Sequence, residues 1–382
     1  MVFRGFRRED GRYGVRNHIL VVSSVACANG VVDELGRLFP NIITVKNAYG
    51  CGYGPEDFKT SLNVLGGLVN HPNVGAVLVI GLGCELLKAE YLAGMVSGKP
   101  VEALTIQDAG SRATTEKGII YIDRFALELE KHKRIEACVG ELLVGLKCGG
   151  SDAFSGVTAN PALGVAADML VHEGAGVIMG EITEMIGTDH ILKKRCRTPE
   201  LGEELQKLIL GHEDRVKKAL GELAGLVIAP GNMDGGLSSI TEKSLGCNAK
   251  AGSSMVVELV EYACRPARKG LIIMNTPGYD IDAMAGMAAG GAHIIVFTTG
   301  RGTPAGFPAV PVIKVSSNSN IFRKMTGDID IDAGAVLEAG RSIDSIGKEI
   351  FDCIIETANG RLTCAEINRS EPFNYLKQGM TF

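Results

Sequence analysis

The chain has 382 residues, 46% of them hydrophobic and 22% charged, with a formal net charge of −5. This composition is globular, and the acid excess excludes the basic footprint of a nucleic-acid or anionic-membrane binder. With no Trp and 5% aromatics there is no stacking platform for single strands. One hydrophobic core usually stops growing at roughly 250–300 residues, so two domains are expected, at 1–138 and 139–382. The N-terminal MVFRGFRREDGRYGVRN lacks the apolar segment of a signal peptide. No apolar run reaches the ~18 residues of a membrane span. The ten cysteines are expected to be reduced, in the cytoplasm, as metal ligands, catalytic groups or buried fillers.

In chain order, Ile19 to Val25 reads as a buried strand, Gly30 to Leu38 as a helix and Ile42 to Val45 as a short strand. The glycine-rich Gly50-Cys51-Gly52-Tyr53-Gly54 follows, then an amphipathic helix from Phe58 to Val69. Val74 to Ile80 is a strand ending in Gly81-Leu82-Gly83-Cys84-Glu85, and Leu86 to Gly94 is helical. Val101 to Ile106 is a strand, with a helix from about Arg112 and a polar helix from Ile122 to Glu136. The second part repeats this grammar. Its strands are Leu142 to Leu146, Gly176 to Met179, Gly225 to Ala229, Leu271 to Met274, Ile294 to Thr298 and Val312 to Val315. Ile191 to Leu223 and Val336 to Gly360 are mainly helical. Repeated strand–helix units predict an α/β fold. The expectation is two Rossmann-like domains with mainly parallel sheets flanked by helices.

The strand Leu142 to Leu146 breaks into a loop holding Cys148, Gly149, Gly150, Ser151, Asp152 and Ser155, with Asn160 before the next helix. Ligands of α/β proteins bind at such strand ends; the plainer alternative is a tight turn with a buried thiol. Cys27, Cys51, Cys84 and Cys148 all lie just past a predicted strand. Strand ends of a parallel sheet share a rim, so these thiols are candidates for zinc or an iron–sulfur cluster, unless they are buried fillers. The other cysteines, Cys138, Cys196, Cys247, Cys264, Cys353 and Cys364, read as structural. Glu181, Glu184, Asp189 and His190 gather after Gly176 to Met179. They suit a hard divalent metal or proton transfer, or a helix N-terminus with a solvated face. Asp280 follows TPGY, and Thr299 and Arg301 lie in TTGRGT. A glycine-flanked Arg at a strand end can clamp a carboxylate, or the stretch is an ordinary turn. Lys243 sits in a glycine-rich helix entry after 231–237. The G-x-G-x-x-G spacing before a helix is missing, so no dinucleotide site is expected.

Eight motifs in order resemble the altronate/galactarate dehydratase family, which includes the large subunit of sulfolactate sulfo-lyase. They are RREDGR with VRN near the N-terminus, GLGCE at 81–85, LKCGGSDAFSGVTANPALG at 146–164, EITEMIGTDHIL at 181–192, GGLSSITEKSLG at 235–246, TPGYD at 276–280, FTTGRGT at 297–303 and DIDIDAG at 328–334. The resemblance implies a metal-dependent elimination of water, or of sulfite, next to a carboxylate. The implied cofactor is iron, as Fe2+ or an iron–sulfur cluster, with another divalent metal as the alternative. The implied substrate is a small anionic hydroxy acid. Our candidates are His190, Lys243 or Asp152 for proton transfer, and Ser151, Asn160, Arg301, Asp280 and Thr299 for substrate anchoring. Metal ligation falls to Cys27, Cys51, Cys84 and Cys148, or to Glu181 and Glu184. Family members usually carry a small domain ahead of this region, so a separate small subunit is expected, along with a homo-oligomer of the large chain. The sequence departs from the family at Asn47, at Asp332-Ala333-Gly334 and at Ile367-Asn368-Arg369-Ser370. The alternatives to a sugar-acid dehydratase are a sulfolactate lyase subunit and a non-catalytic scaffold subunit.

Overall fold

The computed structural model describes residues 1–221 and 228–381. The strand expected at 225–229 lies outside the described residues. The first part contains β1 (Val2–Arg7), β2 (Tyr13–Gly14), β3 (His18–Ser23), β4 (Ile43–Val45), β5 (Val74–Gly81), β6 (Val101–Thr105) and β7 (Ile135–Cys138). The second contains β8 (Leu143–Cys148), β9 (Gly176–Met179), β10 (Val256–Val260), β11 (Gly270–Met274), β12 (Ile294–Thr299), β13 (Val312–Ser316) and β14 (Ile331–Asp332). The fold is α/β, as the alternating pattern predicts. One parallel sheet has the order β4-β3-β5-β6, the other β10-β11-β9-β8-β12-β13-β14. Every residue of β5, β8, β9, β11, β12 and β13 is buried. Such continuous burial is what a strand covered on both faces requires, and in β8 and β13 it takes in Lys147 and Lys314.

Four elements differ from expectation. The polar helix ends at Leu129, not Glu136, and it is continuous from Ile106 apart from a kink at Gly110 (φ 82°). Residues 135–138 instead form β7, paired antiparallel with β1, which the charged N-terminal sequence does not announce. The strands β10 and β14 were also unexpected. The first is only partly buried and the second spans two residues.

The larger sheet begins in its middle. From β8 the chain winds through β9 to β11 and β10 on one side, then crosses to β12 and β13 on the other. The carboxyl ends of β8 and β12 therefore flank a topological switch point, where such sheets leave a crevice.

The two parallel sheets are joined by helix Pro55–Val69 packed on helix Asp280–Ala289. A Cβ at Gly67 would stand 2.3 Å from Ala289 O, so this approach needs glycine. At the amino ends of the strands, Asn73 Nδ2 donates to His293 O (3.0 Å) and Ala309 O (2.9 Å). At the carboxyl ends the tail crosses both helix starts. Asn374 donates to Asp282 (3.0 Å), and the Gln378 and Gly379 N–H groups donate to Asp57 (2.8 and 3.0 Å). The N-terminal RREDGR and VRN motif is a brace, not a site. Arg8 donates to Pro72 O, Asn17 and Arg16 O, and Arg16 forks onto Glu366 at 2.7 and 2.9 Å. Among the described residues no helix is long and apolar enough to cross a membrane.

His71 and His293 are buried in this junction. His71 Nδ1 accepts the Asn73 N–H (3.0 Å) and His293 Nδ1 accepts the Leu143 N–H (2.9 Å). Burial holds both imidazoles below the ordinary range, His293 to about 3. The unfolded chain binds these protons below ~6.5, so the stability they contribute is full above that pH and falls as pH drops. The expected loss is about 2 kcal/mol per imidazole between about pH 7 and pH 5. Urea midpoints measured across that range check it; a flat profile would contradict the buried neutral pair.

Candidate active site

The loops after β8 and β12 lock together at the switch point. Gly150, with φ +58°, accepts the N–H groups of Gly300 (3.1 Å) and Arg301 (2.8 Å) on its carbonyl. A Cβ at Gly300 would stand 2.2 Å from Asp152 Cγ. Asp152 is thereby pressed into the crevice. Its Oδ1 accepts from the Ser155 N–H and hydroxyl (2.9 Å each) and from Ser317 Oγ (2.7 Å); its Oδ2 accepts from Asn318 Nδ2 (2.9 Å). A cavity of about 430 Å³ opens on one side, lined by Asp152, Arg301, Ser317, Asn318, Ser319 and Glu338 among others. A smaller cavity of about 210 Å³ opens on the other, lined by Ser151, Asp152, Asn160, Lys243 and Cys247. Asp152 is the wall between them.

Beneath the smaller cavity lies a buried chain of charge. Lys147 pairs with Asp280 (2.7 Å) and with Glu181. Lys250 bridges Glu181 (2.9 Å) and Glu184 (3.0 Å), and Glu184 also takes Lys243 (3.0 Å). Lys147, Lys250, Glu181 and Glu184 are at most 2% exposed. Burial alone would neutralise Lys147, but Glu181 and Asp280 outweigh it and keep the ammonium. Burial likewise opposes the Glu184 carboxylate, yet Lys250 and Lys243 hold it well below the usual carboxylate range. Glu181 has a left-handed backbone (φ 69°) and its N–H donates to Thr276 Oγ1 (2.6 Å). A non-glycine residue there costs roughly 1–3 kcal/mol, the kind of strain that clusters at functional sites.

Against this cluster stand two thiols. Cys148 Sγ lies 3.7 Å from Cys247 Sγ, 2.9 Å from Ser151 Oγ and 3.7 Å from Asn160 Nδ2. Asn160 is oriented by Thr298 Oγ1, which donates to its Oδ1 (2.6 Å). The Cys247 hydrogen bond holds the Cys148 thiol down, at about 6, against its burial. Among the described residues, Cys148, Glu184 and Cys247 offer three donor atoms within 4.8 Å of one another, so this group can take a metal ion.

Residues 139–381 match the family described as "D-galactarate/Altronate dehydratase, C-terminal", and residues 5–130 match "D-galactarate dehydratase/Altronate hydrolase, second domain". The chain is 35% identical to an altronate dehydratase of Bacillus subtilis (strain 168), over 99% of this chain and 78% of that protein. The chain belongs to the altronate/galactarate dehydratase family. With that family it is an enzyme of the hydro-lyase kind. It is also 35% identical to the galactarate dehydratase (L-threo-forming) of Escherichia coli (strain K12), covering 94% of this chain and 73% of that one. To subunit beta of a (2R)-sulfolactate sulfo-lyase of Chromohalobacter salexigens it is 31% identical, over 95% of this chain and 94% of that one.

The family motifs converge on the switch point only in part. LKCGGSD, the EITE stretch, TEKSLG, TPGYD and TTGRGT meet there: Ser151, Asp152, Asn160, Lys243 and Arg301 line the crevice, and Glu181, Glu184 and Asp280 belong to the chain of ion pairs behind it. Thr299 is buried and its Oγ1 accepts the Gly302 N–H (3.0 Å), so it shapes the Arg301 turn. Asp280 faces Lys147, not the larger cavity. His190 is exposed on helix Asp189–Lys194 and lines neither cavity. The four thiols Cys27, Cys51, Cys84 and Cys148 do not converge. Cys148 is buried at the end of β8, whereas the other three are exposed beyond strands of the smaller sheet. The rule that strand ends share a rim holds within one sheet, and these belong to two. Cys247, read as structural, is the thiol that meets Cys148. Lys147 and Lys250 were missed as well. A lysine inside an apolar strand run was the signal for the first; the second stands in the helical context after TEKSLGCN without one.

Removing one ammonium leaves buried carboxylates uncompensated. Lys250→Met is expected to cost about 3–5 kcal/mol of folding stability, read from urea unfolding. A change within the noise of a surface Lys→Met control would show that the pairing contributes nothing.

Proposed function

We propose that this chain is the large, catalytic chain of a lyase that removes water from a sugar acid of the altronate type. The observation that carries the reading is the crevice divided by Asp152, with one guanidinium in one compartment and one ammonium in the other. The larger compartment holds Arg301 as its cation beside Asp152 and Glu338, and Glu338 is itself paired with Arg323 (2.7 Å). A monocarboxylate fits that balance. Its carboxylate meets Arg301, and its hydroxyls meet Ser317, Asn318 and Ser319. Dehydration takes a proton from the carbon beside the carboxylate and expels the neighbouring hydroxyl; the enol that remains becomes a 2-keto acid. Asp152 Oδ2 has one hydrogen-bond donor and a lone pair at the partition, which suits it to accept the proton. Lys243, held as an ammonium against Glu184, suits donation to the departing hydroxyl.

The metal that the resemblance implies fits Cys148, Glu184 and Cys247. With metal–sulfur bonds of about 2.3 Å, two sulfurs of a tetrahedral site stand about 3.8 Å apart, close to the 3.7 Å found. Three protein donors leave a position open, the arrangement of catalytic sites. We assign iron or another divalent ion there in place of the four-cysteine set. When bound it supplies Lewis-acid stabilisation of the developing negative charge. Cys247→Ser is expected to lower the metal bound per chain, measured by elemental analysis after dialysis; unchanged content would remove this assignment.

Two further parts of the reading follow. The division into α/β domains at 138/139 is supported by the change of sheet between β7 and β8. A partner subunit is supported by the relative named as a beta subunit, and a cytoplasmic location by ten free cysteines. That relative, matched over 94% of its length, also favours a second reading, a carbon–sulfur lyase on sulfolactate. Sulfolactate carries two negative charges, which the single Arg301 balances less well.

The test is 2-keto acid formation from altronate, against sulfite release from sulfolactate. Arg301→Ala is expected to lose about 1.5–3 kcal/mol of binding, a roughly 10- to 150-fold fall in kcat/KM. Lys243→Ala is expected to lose roughly 10²–10⁴-fold in kcat. Sulfite release without dehydration would transfer the reading to the carbon–sulfur lyase.

A further inference from the structure

Two of the ten cysteines touch. Cys148 ends β8, and Cys247 stands 99 residues later on the last turn of helix Ile240–Asn248. Both are buried, and the Cys247 thiol donates to Cys148 Sγ across 3.7 Å. Among the described residues no other two cysteines share a hydrogen bond. The backbones that carry them are fixed. Asn160 Nδ2 donates to Gly246 O (3.0 Å), and a Cβ at Gly246 would stand 3.0 Å from Gly156 Cα, so the helix end lies on the loop after β8. The Cys148 N–H donates to Glu181 Oε2 (3.1 Å), which ties that strand end to the buried ion pairs. Between these fixed backbones each sulfur keeps its own side-chain torsion. A disulfide sets its sulfurs about 2.05 Å apart, so the two have to close by roughly 1.7 Å, shared between two side-chain rotations.

Burial alone does not make a thiol pair inert. Cys353 is buried in the core and lines neither compartment of the crevice. Cys247 forms part of the wall of the smaller compartment, about 210 Å³, with Ser151, Asp152 and Lys243. A small oxidant that enters there meets one sulfur with a second in contact with it, and a resolving thiol beside the oxidised one is the arrangement of redox-sensitive cysteines. We propose that Cys148 and Cys247 are an oxidative modification site, at which hydrogen peroxide in the smaller compartment converts the two thiols to a reversible disulfide. Cys148 accepts the hydrogen bond of Cys247, so its sulfur holds the electron pair that attacks. That sulfur bonds to one peroxide oxygen, the O–O bond breaks, and the other oxygen leaves as water with the proton of the Cys148 thiol. The Cys247 sulfur then attacks the sulfenic acid on Cys148; the S–O bond breaks, and hydroxide leaves as water with the Cys247 proton. Two thiols and one peroxide give one disulfide and two waters, with two electrons passing from sulfur to oxygen. The bond takes both sulfur donors from the group of Cys148, Glu184 and Cys247. That consequence rests on the metal reading above; the disulfide itself does not. A dithiol reverses the bond by exchange, so the site is switched off and not destroyed.

The experiment treats the metal-free full chain with hydrogen peroxide, blocks the remaining thiols with N-ethylmaleimide under denaturing conditions, and maps the unreduced peptides by mass spectrometry. The expected result is one dominant cross-link within the chain, between the peptides that carry Cys148 and Cys247, lost when dithiothreitol is added before digestion. Cys247→Ser is expected to lose the cross-link and to leave a sulfenic acid on Cys148, trapped with dimedone, in a chain whose urea midpoint shows it folded. The wild-type map stands without the variant. Loading the chain with zinc, which has no redox chemistry of its own, is expected to suppress the cross-link on later exposure to peroxide. Absence of the cross-linked peptide in the wild type, pairing of either cysteine with a different one, or passage straight to sulfinic acid would each overturn the proposal. A cross-link that forms equally fast after zinc has bound supports the disulfide and removes the metal assignment, so the two failures are told apart. Keto-acid formation is assayed separately, so failure here leaves that result intact.

Discussion

Lys147 sits inside the central strand of the larger sheet, and its ammonium has no water to turn to. An isolated buried charge of this kind costs several kcal/mol, so the elements around β8 have to deliver carboxylates. Glu181 arrives from the end of β9 and Asp280 from the start of the helix after β11. Glu181 then needs a second cation, Lys250, which in turn holds Glu184, which holds Lys243. Each partner is correct only if its own strand or helix is in register. The left-handed backbone at Glu181 is tolerated because this chain of pairs over-determines it. Replacing the cluster by apolar side chains of equal volume would be as good for stability or better. Lys243 is the member of the cluster that lines the smaller cavity.

The same constraint organises the crevice. The glycine pair after Lys147-Cys148 lets the β8 loop lie flat on the β12 loop, and the contact between Gly300 and Asp152 sets a carboxylate between two compartments. A guanidinium thus lines one compartment and an ammonium the other, brought by the loop after β12 and by the helix Ile240–Asn248.

Much of this was legible in the sequence, for identifiable reasons. The strands β5, β8, β9, β11, β12 and β13 are mostly apolar runs because both faces are covered, and a pattern of that kind is read directly. The loop after Leu142 to Leu146 was legible because thiol, glycines and small polar groups do not gather in a plain turn. What could not be read was which strand end meets which. Cys148 was grouped with three thiols of another sheet because strand-end position carries no sheet label. Cys247 was passed over because its neighbours on the helix Ile240–Asn248 look ordinary; only the fold brings it 3.7 Å from Cys148. His190 looked chemical beside two glutamates, but the helix that follows carries it to the surface. The N-terminal arginines of the family motif hold backbone carbonyls and the Glu366 carboxylate.

The winding order of the larger sheet has a consequence for synthesis. Its central strand, β8, is made first, and its second neighbour, β12, follows about 150 residues later, as the 151-residue separation of Thr298 and Lys147 indicates. At roughly 5–20 residues per second of translation, β8 waits on the order of 8–30 s with one hydrogen-bonding edge open. Throughout that interval a strand that is apolar but for Lys147 is available to any passing partner. The ammonium of Lys147 is poorly tolerated in a stacked, dry β-assembly, so the residue that anchors the finished crevice also protects the nascent chain from aggregating before the crevice exists.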